Sequence, residues 1–336
     1  MPLNIRIDKN SPVPKYLQVV DAITGLVAGK VLVRGSRLPT INELCKELGV
    51  GRVTVVNAYE ELKKRDIINA TQGKGFYVKN PSIAGLRRVF LLFDAMNGYK
   101  EVLYRSFVQA LGPKYNISIY FFYYNYQEFC RMINASLGHY DHYVVLPHFN
   151  FDVSRPLLNI PREKLLMMDN DVATLKEGYA AVYQSFHKDI FNGLSSGLHL
   201  IRKYSRINLV LQHRFQFIPT GIIEGFMEFC KLLDISYNVL ESLSPELIRK
   251  GEVYFVISDI DLITVVRNVK DNGLILGKDI GLISFDDTPL KTVLANGITT
   301  ISTDFTQMGK TAAQMIRKGI YEKVENPSQL IMRGSV

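Results

Sequence analysis

Polar side chains follow several short apolar runs along the chain, and these residues are suited to binding a small molecule. They are Asn97, His148, Asp169, His213, Ser258, Asp259 and Asp286. Carboxylates, amides and imidazoles form directed hydrogen bonds with hydroxyl groups, and neighbouring aromatic rings offer an apolar face to a sugar ring. The pattern therefore predicts a binding site for a polyhydroxylated ligand.

Other side chains either allow two interpretations or argue against a metal site, a disulfide or an enzyme. A cluster of tyrosines at positions 120, 123, 124 and 126 is compatible with a stacking surface and also with ordinary core and rim packing. The six histidines lack metal-ligand spacing, and the three cysteines are widely separated, so we expect no metal, no cofactor and no disulfide. The sequence contains no phosphate-binding loop and no nucleophile elbow, which argues against an enzyme.

A second group of candidate residues lies in a basic N-terminal region. Residues 1–80 hold thirteen Lys and Arg against seven Asp and Glu, which is +6 of the formal net charge of +8. Such an asymmetry is typical of a nucleic-acid-binding domain attached to a nearly neutral body. A basic domain without a nucleic-acid partner is the simpler alternative on charge alone.

The elements in this region predict a winged helix-turn-helix. Helical spacing begins near Tyr16, and Thr40 with Glu43 forms a capping box that starts a second helix. After Gly49, a third helix places small and polar residues at its N-terminal end, where close approach to base edges requires them. Two short strands follow, over 67–70 and 76–78, with Lys74 at the tip between Gly73 and Gly75. This layout puts a helix into the DNA major groove.

The same region resembles the GntR family of bacterial regulators. The residues that carry the resemblance are Pro14-Lys15-Tyr16, Arg37-Leu38-Pro39-Thr40, Glu43-Leu44, Leu48-Gly49-Val50, Thr54-Val55, Ala58-Tyr59 and Gln72 to Val78. With the residues of the third helix, it places DNA contacts on Lys15, Thr40, Asn42, Arg52, Thr54, Asn57, Gln72, Gly73 and Lys74. Many members carry arginine at the positions of Asn42 and Val56, so the operator sequence does not transfer. Arg52 as a solvated helix cap and Thr54 bonded to its own helix remain alternatives.

The chain beyond this region predicts an α/β body. A Pro-, Ser- and Gly-containing linker spans 80–87, which divides the chain into domains 1–79 and 88–336. Apolar strands are predicted over 89–93, 117–122, 143–146, 165–168, 207–211, 254–257 and 280–285, with helices over 99–111 and 126–138 between them. This alternation indicates parallel sheets covered on both faces, which bind ligands at the carboxyl ends of their strands.

The body resembles the sensor domain of the LacI/GalR family, which is similar to periplasmic sugar-binding proteins. The segments that carry the resemblance are Ser258-Asp259, Gly277 to Asp287, Thr299-Thr300-Ile301, Met308-Gly309 and Leu330 to Ser335. The resemblance implies two α/β lobes that close on a ligand, with contacts at Asp189, Ser258, Asp286 and Thr303. Helix caps are the alternative roles for Asp189 and Asp286.

One position departs from that family, and it bears on the ligand. The sensor arginine expected three residues before Gly225-Phe226 is replaced by Ile222. Either His213 or Arg214 takes over its role, or the ligand differs from those of better-known members. The hinge helix of the LacI type is also missing.

Together these features predict a DNA-binding transcriptional regulator. The resemblances imply a homodimeric repressor of carbohydrate-utilisation genes that binds double-stranded operator DNA and is released by a monosaccharide. No apolar run reaches the roughly 20 residues that cross a bilayer, and the N-terminus lacks a signal-peptide core, so we expect a cytoplasmic protein. An aminotransferase-like enzyme fused to a DNA-binding head and a sugar-transport protein are the alternatives.

Overall fold

The computed structural model describes residues 3, 5–8, 11, 13–175, 178–211 and 217–336. Its internal contacts divide the chain into two compact units. The first comprises Met1–Leu91, Gly112–Ile119 and Cys130–Tyr143, and the second comprises Leu92–Leu111, Tyr120–Phe129 and Val144–Val336. Of the predicted ligand-binding residues, His213 lies outside the described residues.

The N-terminal elements form the predicted winged helix-turn-helix. They are α1 (Lys15–Ala28), α2 (Ile41–Leu48), α3 (Arg52–Lys64), β1 (Ile68–Thr71), β2 (Gly75–Val78) and α4 (Pro81–Ala84). The Thr40 side chain caps α2 together with Glu43, and Gly49 ends the helix in the left-handed region with a φ of 62°. A single N-cap of this kind contributes about 1 kcal/mol, so the turn between α2 and α3 is fixed locally.

Tyr59 of α3 contacts both the hairpin and the segment that precedes α2. Its ring packs edge-on against Phe76 of β2 at a centroid distance of 4.6 Å, and its hydroxyl donates to the carbonyl of Pro39 at 2.7 Å. Tyr59 is buried, as are the apolar residues of α1 and α3 around it. The aromatic contact therefore holds the hairpin of β1 and β2 against α3, and the hydrogen bond joins α3 to the segment that precedes α2.

The predicted linker contains α4, and Ala84 of this helix packs into the hydrophobic core of the head. The first compact unit continues past the linker to Leu91. The division into domains 1–79 and 88–336 stays a prediction.

The rest of the chain alternates strands and helices. The strands are β3 (Arg87–Phe93), β4 (Tyr115–Phe121), β5 (His142–Val145), β6 (Leu165–Asp169), β7 (Ala180–Tyr183), β8 (Arg206–Val210), β9 (Tyr237–Leu240), β10 (Glu252–Val256), β11 (Gly281–Phe285), β12 (Thr299–Thr303), β13 (Lys323–Glu325) and β14 (Ser328–Ile331). The helices are α5 (Gly98–Leu111), α6 (Tyr126–Ser136), α7 (Ser154–Leu157), α8 (Phe186–Ser196), α9 (Leu198–Ile201), α10 (Thr220–Leu232), α11 (Asp259–Asp271), α12 (Pro289–Val293) and α13 (Phe305–Lys318).

These strands form two six-stranded sheets with the orders β13-β7-β6-β5-β3-β4 and β14-β12-β11-β10-β8-β9. Each predicted strand is present within a few residues of its expected bounds. In the second sheet β9, β8, β10, β11 and β12 run parallel, as predicted. At the edge of that sheet β14, a strand that the sequence did not predict, pairs antiparallel with β12. Residues 304–327, which include α13 and β13, connect β12 to β14.

Both faces of the second sheet are buried. Ile207, Leu209 and Phe255 pack with α8 and α10 on one face, whereas Tyr254, Val256 and Leu282 pack with α11 on the other. Two covered faces explain why these strands are continuously apolar rather than alternating. None of the described helices is long and apolar enough to cross a membrane.

Candidate functional site

The residues predicted to contact DNA lie on the surface of the head. Lys15 begins α1, Thr40 caps α2, and Arg52 begins α3. The exposed members are Lys15, Thr40, Asn42, Arg52, Asn57, Gln72, Gly73 and Lys74, and Thr54 is partly buried. The fold thus leaves this set accessible, and their contacts with DNA stay a prediction.

Arg52 and Asn42 are linked across the helix-turn-helix. The guanidinium of Arg52 donates to the amide oxygen of Asn42 at 2.8 Å. This bond orients the Arg52 side chain from a partner on α2, and it leaves the remaining guanidinium donors of Arg52 available. A bidentate contact with guanine requires two such donors.

The tip of the hairpin is formed by Gly73 and Gly75, whose φ angles of 72° and 109° favour glycine. The Lys74 amide donates to Thr71 at 3.0 Å, and the Tyr77 hydroxyl donates to the Lys74 carbonyl at 3.0 Å. The exposed Lys74 side chain is therefore carried on a fixed turn. Sequence reasoning missed the exposed Arg37, whose Nε would lie 3.5 Å from a Cβ at Gly75. Arg37 lies 38 residues before Gly75 in the sequence, so no local pattern marked this proximity.

A polar cavity lies in the second compact unit, where the carboxyl ends of several strands meet. Asp94 follows β3, His148 follows β5, Asp169 ends β6, Gln184 follows β7 and Asp286 follows β11. The cavity volume is about 60 Å³. Its polar lining residues are Asp94, Asn97, Tyr99, Lys100, Tyr124, His148, Asp169, Gln184 and Asp286. Its apolar lining residues are Phe186, Phe217, Pro219, Ile222, Ile257 and Phe285.

A chain of buried charges runs through this cavity. Lys100 Nζ lies 2.5 Å from Asp94 Oδ1, and the two ring nitrogens of His148 lie 3.0 Å from Asp94 Oδ2 and 2.9 Å from Asp169 Oδ2. The hydroxyl of Tyr99 donates to the same Asp169 oxygen at 3.0 Å. The ring of His148 stacks on Phe217 with centroids 4.8 Å apart. Two carboxylates and two basic side chains are thereby matched inside the protein.

The pKa values of these groups follow from the pairing. Burial by itself lowers the pKa of His148, but the negative charge of Asp94 and hydrogen bonds to both carboxylates raise it overall. Burial by itself raises the pKa of Asp94, but the charges of His148 and Lys100 lower it overall. Burial by itself raises the pKa of Asp169, but the hydrogen bond and charge of His148, the hydrogen bond from Gln184 and the charge of Lys100 together lower it. The arrangement favours an imidazolium between two carboxylates.

Asp286 differs from the other two carboxylates. Burial, and then the charge of Asp169, raise the pKa of Asp286 to about 8. Its Oδ1 atom is buried without a hydrogen-bond partner among the described residues. Its backbone φ of 60° and that of Asp169, 73°, lie in the left-handed region, which non-glycine residues seldom adopt. Such conformations collect at ligand-binding sites.

Of the predicted effector-binding residues, the cavity brings together Asn97, His148, Asp169 and Asp286. Sequence reasoning did not select Asp94, Tyr99, Lys100 or Gln184 for this site. The position of Asp94 directly after a strand was an available signal, whereas no local pattern marked Gln184. Of the four tyrosines left open above, Tyr124 lines the cavity, and the Tyr123 side chain is exposed.

The other predicted effector residues lie outside the lining of this cavity, and their local contacts explain why. The Ser258 hydroxyl caps α11, accepting from the Asp261 amide at 3.1 Å and donating to its carboxylate at 2.6 Å. Asp259 is exposed and pairs with Lys291 at 3.2 Å. The hydroxyl of Thr303 donates to the carbonyl of Pro327 at 2.9 Å.

Asp189 also lies outside the cavity lining. It is buried in the first turn of α8, without the side-chain cap that the alternative role requires. Burial, and then the charge of Glu325, raise its pKa to about 7. A role for Asp189 in effector binding stays a prediction.

Comparisons with known proteins agree with this architecture. Residues 15–78 match the gntR family of bacterial regulatory proteins, and residues 229–336 match a periplasmic binding protein-like domain. The chain is 32% identical to the repressor YtrA of Bacillus subtilis over 106 residues, which are 32% of this chain and 78% of that protein. It is 21% identical to the arabinose metabolism transcriptional repressor of Geobacillus stearothermophilus, covering 97% of this chain and 96% of that protein. It spans only 40% and 29% of two other curated regulators that it matches.

The fold of the α/β body is shared with solved structures. The trehalose repressor of Escherichia coli superposes with a TM-score of 0.61 at 14% identity, covering 73% of this chain and 99% of that structure. The chain belongs to the GntR family of bacterial regulatory proteins, and a periplasmic-binding-protein-like domain follows its DNA-binding head in the sequence.

Proposed function

We propose that this protein is a transcriptional repressor of carbohydrate-utilisation genes, and that a small sugar in the cavity lowers its affinity for operator DNA. The observation that carries the proposal is the presence, in one chain, of an exposed cationic helix-turn-helix surface and a polar cavity at the ends of parallel strands. The relatives named as repressors of carbohydrate metabolism support the same reading.

In this proposal the head binds DNA through two kinds of contact. Arg52 and Asn57 at the exposed face of α3 reach base edges, and Lys15, Arg37 and Lys74 contact phosphates. Phosphate contacts fix the register of the head, while base contacts select the sequence. Each contact of an Arg or Lys with a phosphate releases counterions, so affinity falls as salt rises.

The protein acts in this proposal as a homodimer in the cytoplasm, with one head on each half of a near-palindromic operator. Exposed apolar side chains support the dimer: Ile260 on α11 is 67% exposed, and Leu290 and Val293 on α12 are 56% and 73% exposed. The ion pair between Asp259 and Lys291 brings these two helices together. Adjacent apolar side chains of this kind are typical of a protein–protein contact.

The sugar acts by preferring one of two states of the dimer. A ligand shifts such an equilibrium only by its difference in affinity for the two states. Coupling energies of about 1–3 kcal/mol correspond to changes of roughly 5- to 150-fold in operator affinity. The cavity residues Asp286 and Gln184 supply the contacts that would distinguish a closed, ligand-bound state from an open one.

The proposal is tested with full-length protein and labelled duplexes that tile the region upstream of its own gene. We expect one duplex to bind with a strong salt dependence, as measured by fluorescence anisotropy between 50 and 200 mM salt, a range over which about 6–10 phosphate contacts cost 10³–10⁵ in affinity. Adding the effector sugar should then release the duplex. Equal, weak binding to every duplex would contradict the proposal.

A further inference from the structure

The charged groups of the cavity pair off, with one exception. Lys100 pairs with Asp94, and His148 bridges Asp94 and Asp169, as described above. Both ring nitrogens of His148 are engaged, and the ammonium group of Lys100 is buried against Asp94. Among the described lining residues, these two basic side chains are already matched by carboxylates, which leaves Asp286 as the additional acidic group.

Two buried acceptors in the cavity lack a donor among the described residues. They are Oδ1 of Asp286 and Oε1 of Gln184. The orientation of the Gln184 amide is set from its other side, because its Nε2 donates to Asp169 Oδ1 at 2.5 Å. The oxygen of Gln184 is therefore the atom left for a ligand.

Lys291, the lysine nearest in sequence to Asp286, is engaged elsewhere. Its Nζ donates to the backbone carbonyls of Phe285 and Asp286 at 2.7 and 2.9 Å and pairs with Asp259 at 3.2 Å. Ile222, which shares the lining with Asp286, is apolar and offers no donor. The carboxylate of Asp286 thus lacks a matched cation among the residues that the structure describes.

A buried acceptor without a donor destabilises the folded protein, and more so if it is charged. A hydroxyl group on a ligand can hydrogen-bond to the protonated form of Asp286, whereas an ammonium group also stabilises the ionised carboxylate by pairing with its charge. A phosphate or carboxylate on a ligand would meet Asp286 and Asp169 with no unpaired cation among the described lining residues.

We propose that the effector is an amine-bearing monosaccharide whose ammonium group binds Oδ1 of Asp286 and whose hydroxyl groups donate to Oε1 of Gln184. This inference rests on the proposed function of the cavity as the effector site. It assigns the ligand to the cationic sugars.

The test is calorimetric titration of the full-length protein with matched sugars: glucosamine and glucose, galactosamine and galactose, mannosamine and mannose, and glucose 6-phosphate. We expect at least one amino sugar to bind 10-fold or more tightly than its neutral partner, a preference of about 1.4 kcal/mol. In Asp286→Asn that preference should fall below 3-fold, because the amide keeps the shape and accepts a hydrogen bond but carries no charge. Asp234→Asn, an exposed acid outside the cavity that also has a left-handed backbone, is the matched control and should keep the preference.

Several results would overturn the inference: equal or tighter binding of a neutral sugar, binding of glucose 6-phosphate, an unchanged preference in a folded Asp286→Asn variant, or no binding by any member of the panel. If a neutral or phosphorylated sugar binds the protein and causes it to release operator DNA, the inference of an amine on the ligand is overturned and the repressor function stands. Failure of the repressor function shows separately, as the absence of specific DNA binding.

Discussion

The head and the cavity hold their polar side chains in opposite environments. On the head, the predicted DNA contacts are exposed apart from Thr54, and the one hydrogen bond between two of their side chains joins Arg52 to Asn42. In the cavity, Asp94, Lys100, His148 and Asp169 are almost completely buried and bonded to one another. Exposed charges cost little to maintain and exchange water for phosphate readily, whereas buried charges are stable only as a matched set.

This difference in burial determines how each region responds to the substitution of one side chain. Loss of one side chain on the head should alter DNA affinity and leave the fold intact. Loss of one member of the buried set leaves an unmatched charge and should alter the stability of the whole unit.

The largest effect is expected for Lys100→Met. This change removes the cation that lies against Asp94 inside the cavity, and breaking a buried ion pair costs about 3–5 kcal/mol. We expect a matching fall in the free energy of unfolding, measured by urea denaturation. Arg105→Met is the matched control on the same helix, because Arg105 forms an exposed pair with Glu101 and should cost less than about 0.5 kcal/mol. Similar losses in the two variants would remove the contrast between buried and exposed charges.

The next effect is expected on DNA binding, for Arg52→Ala. If the Arg52 guanidinium reads a base, its loss should cost about 1–3 kcal/mol and relax specificity at one position, without changing thermal stability. The measurement is fluorescence anisotropy with the operator duplex and single-base variants of it. Lys64→Ala, at the exposed C-terminal end of α3, is the control and should bind nearly as the wild type does. Unchanged affinity in Arg52→Ala would remove that residue from the reading surface.

A smaller, pH-dependent effect is expected for Asp286→Asn. The pKa of Asp286 in the folded protein is about 8, above the value of about 3.9 for an unfolded chain. Its contribution to stability is therefore fully present below about pH 4 and is lost as the pH rises toward 8. Asparagine also tolerates a left-handed backbone, and because it does not ionise, this pH-dependent loss of stability does not occur in the variant.

We expect the free energy of unfolding of Asp286→Asn to increase relative to that of the wild type by roughly 1 kcal/mol between pH 5 and pH 8. The increase is smaller than the full pKa shift would give, because Asp286 is partly exposed. Thermal melts of the two proteins without sugar, in buffers across this range, measure the gain. A stability difference that stays constant with pH would show that Asp286 does not titrate abnormally.

The smallest effect is expected for Lys74→Ala at the hairpin tip. Removing one phosphate contact should lower the slope of log affinity against log salt by about 0.9 and weaken binding similarly for all sequences. The slope is measured with the operator and with an unrelated duplex. A loss confined to the operator would instead make Lys74 a base-reading residue.

The contrast between the two regions also explains what the sequence could predict. The capping box of Thr40 with Glu43 and the glycine-flanked tip at Lys74 depend on neighbours a few residues away, so their patterns are local. The strands of the body were predictable because buried parallel strands are continuously apolar. These features were enough to predict both folds.

The cavity network depends instead on the order of the strands. His148 and Asp94 are 54 residues apart and meet because β5 lies beside β3 in the sheet, and Asp169 joins them because β6 lies beside β5. Gln184 follows β7, a short strand that the sequence did not reveal. Ser258 was a reasonable candidate at a strand end, but a helix cap uses its hydroxyl. Whether such a hydroxyl caps a helix or binds a ligand depends on local geometry and not on residue type.

The central claim is that occupancy of the buried cavity controls the exposed reading surface. The most direct measurement is the operator affinity of the full-length protein, by fluorescence anisotropy, with and without a saturating sugar shown by calorimetry to bind. The account predicts that the sugar weakens operator binding at least 10-fold in the wild type and much less in Asp286→Asn at the same sugar concentration. A sugar that binds the cavity tightly and leaves operator affinity unchanged would contradict it.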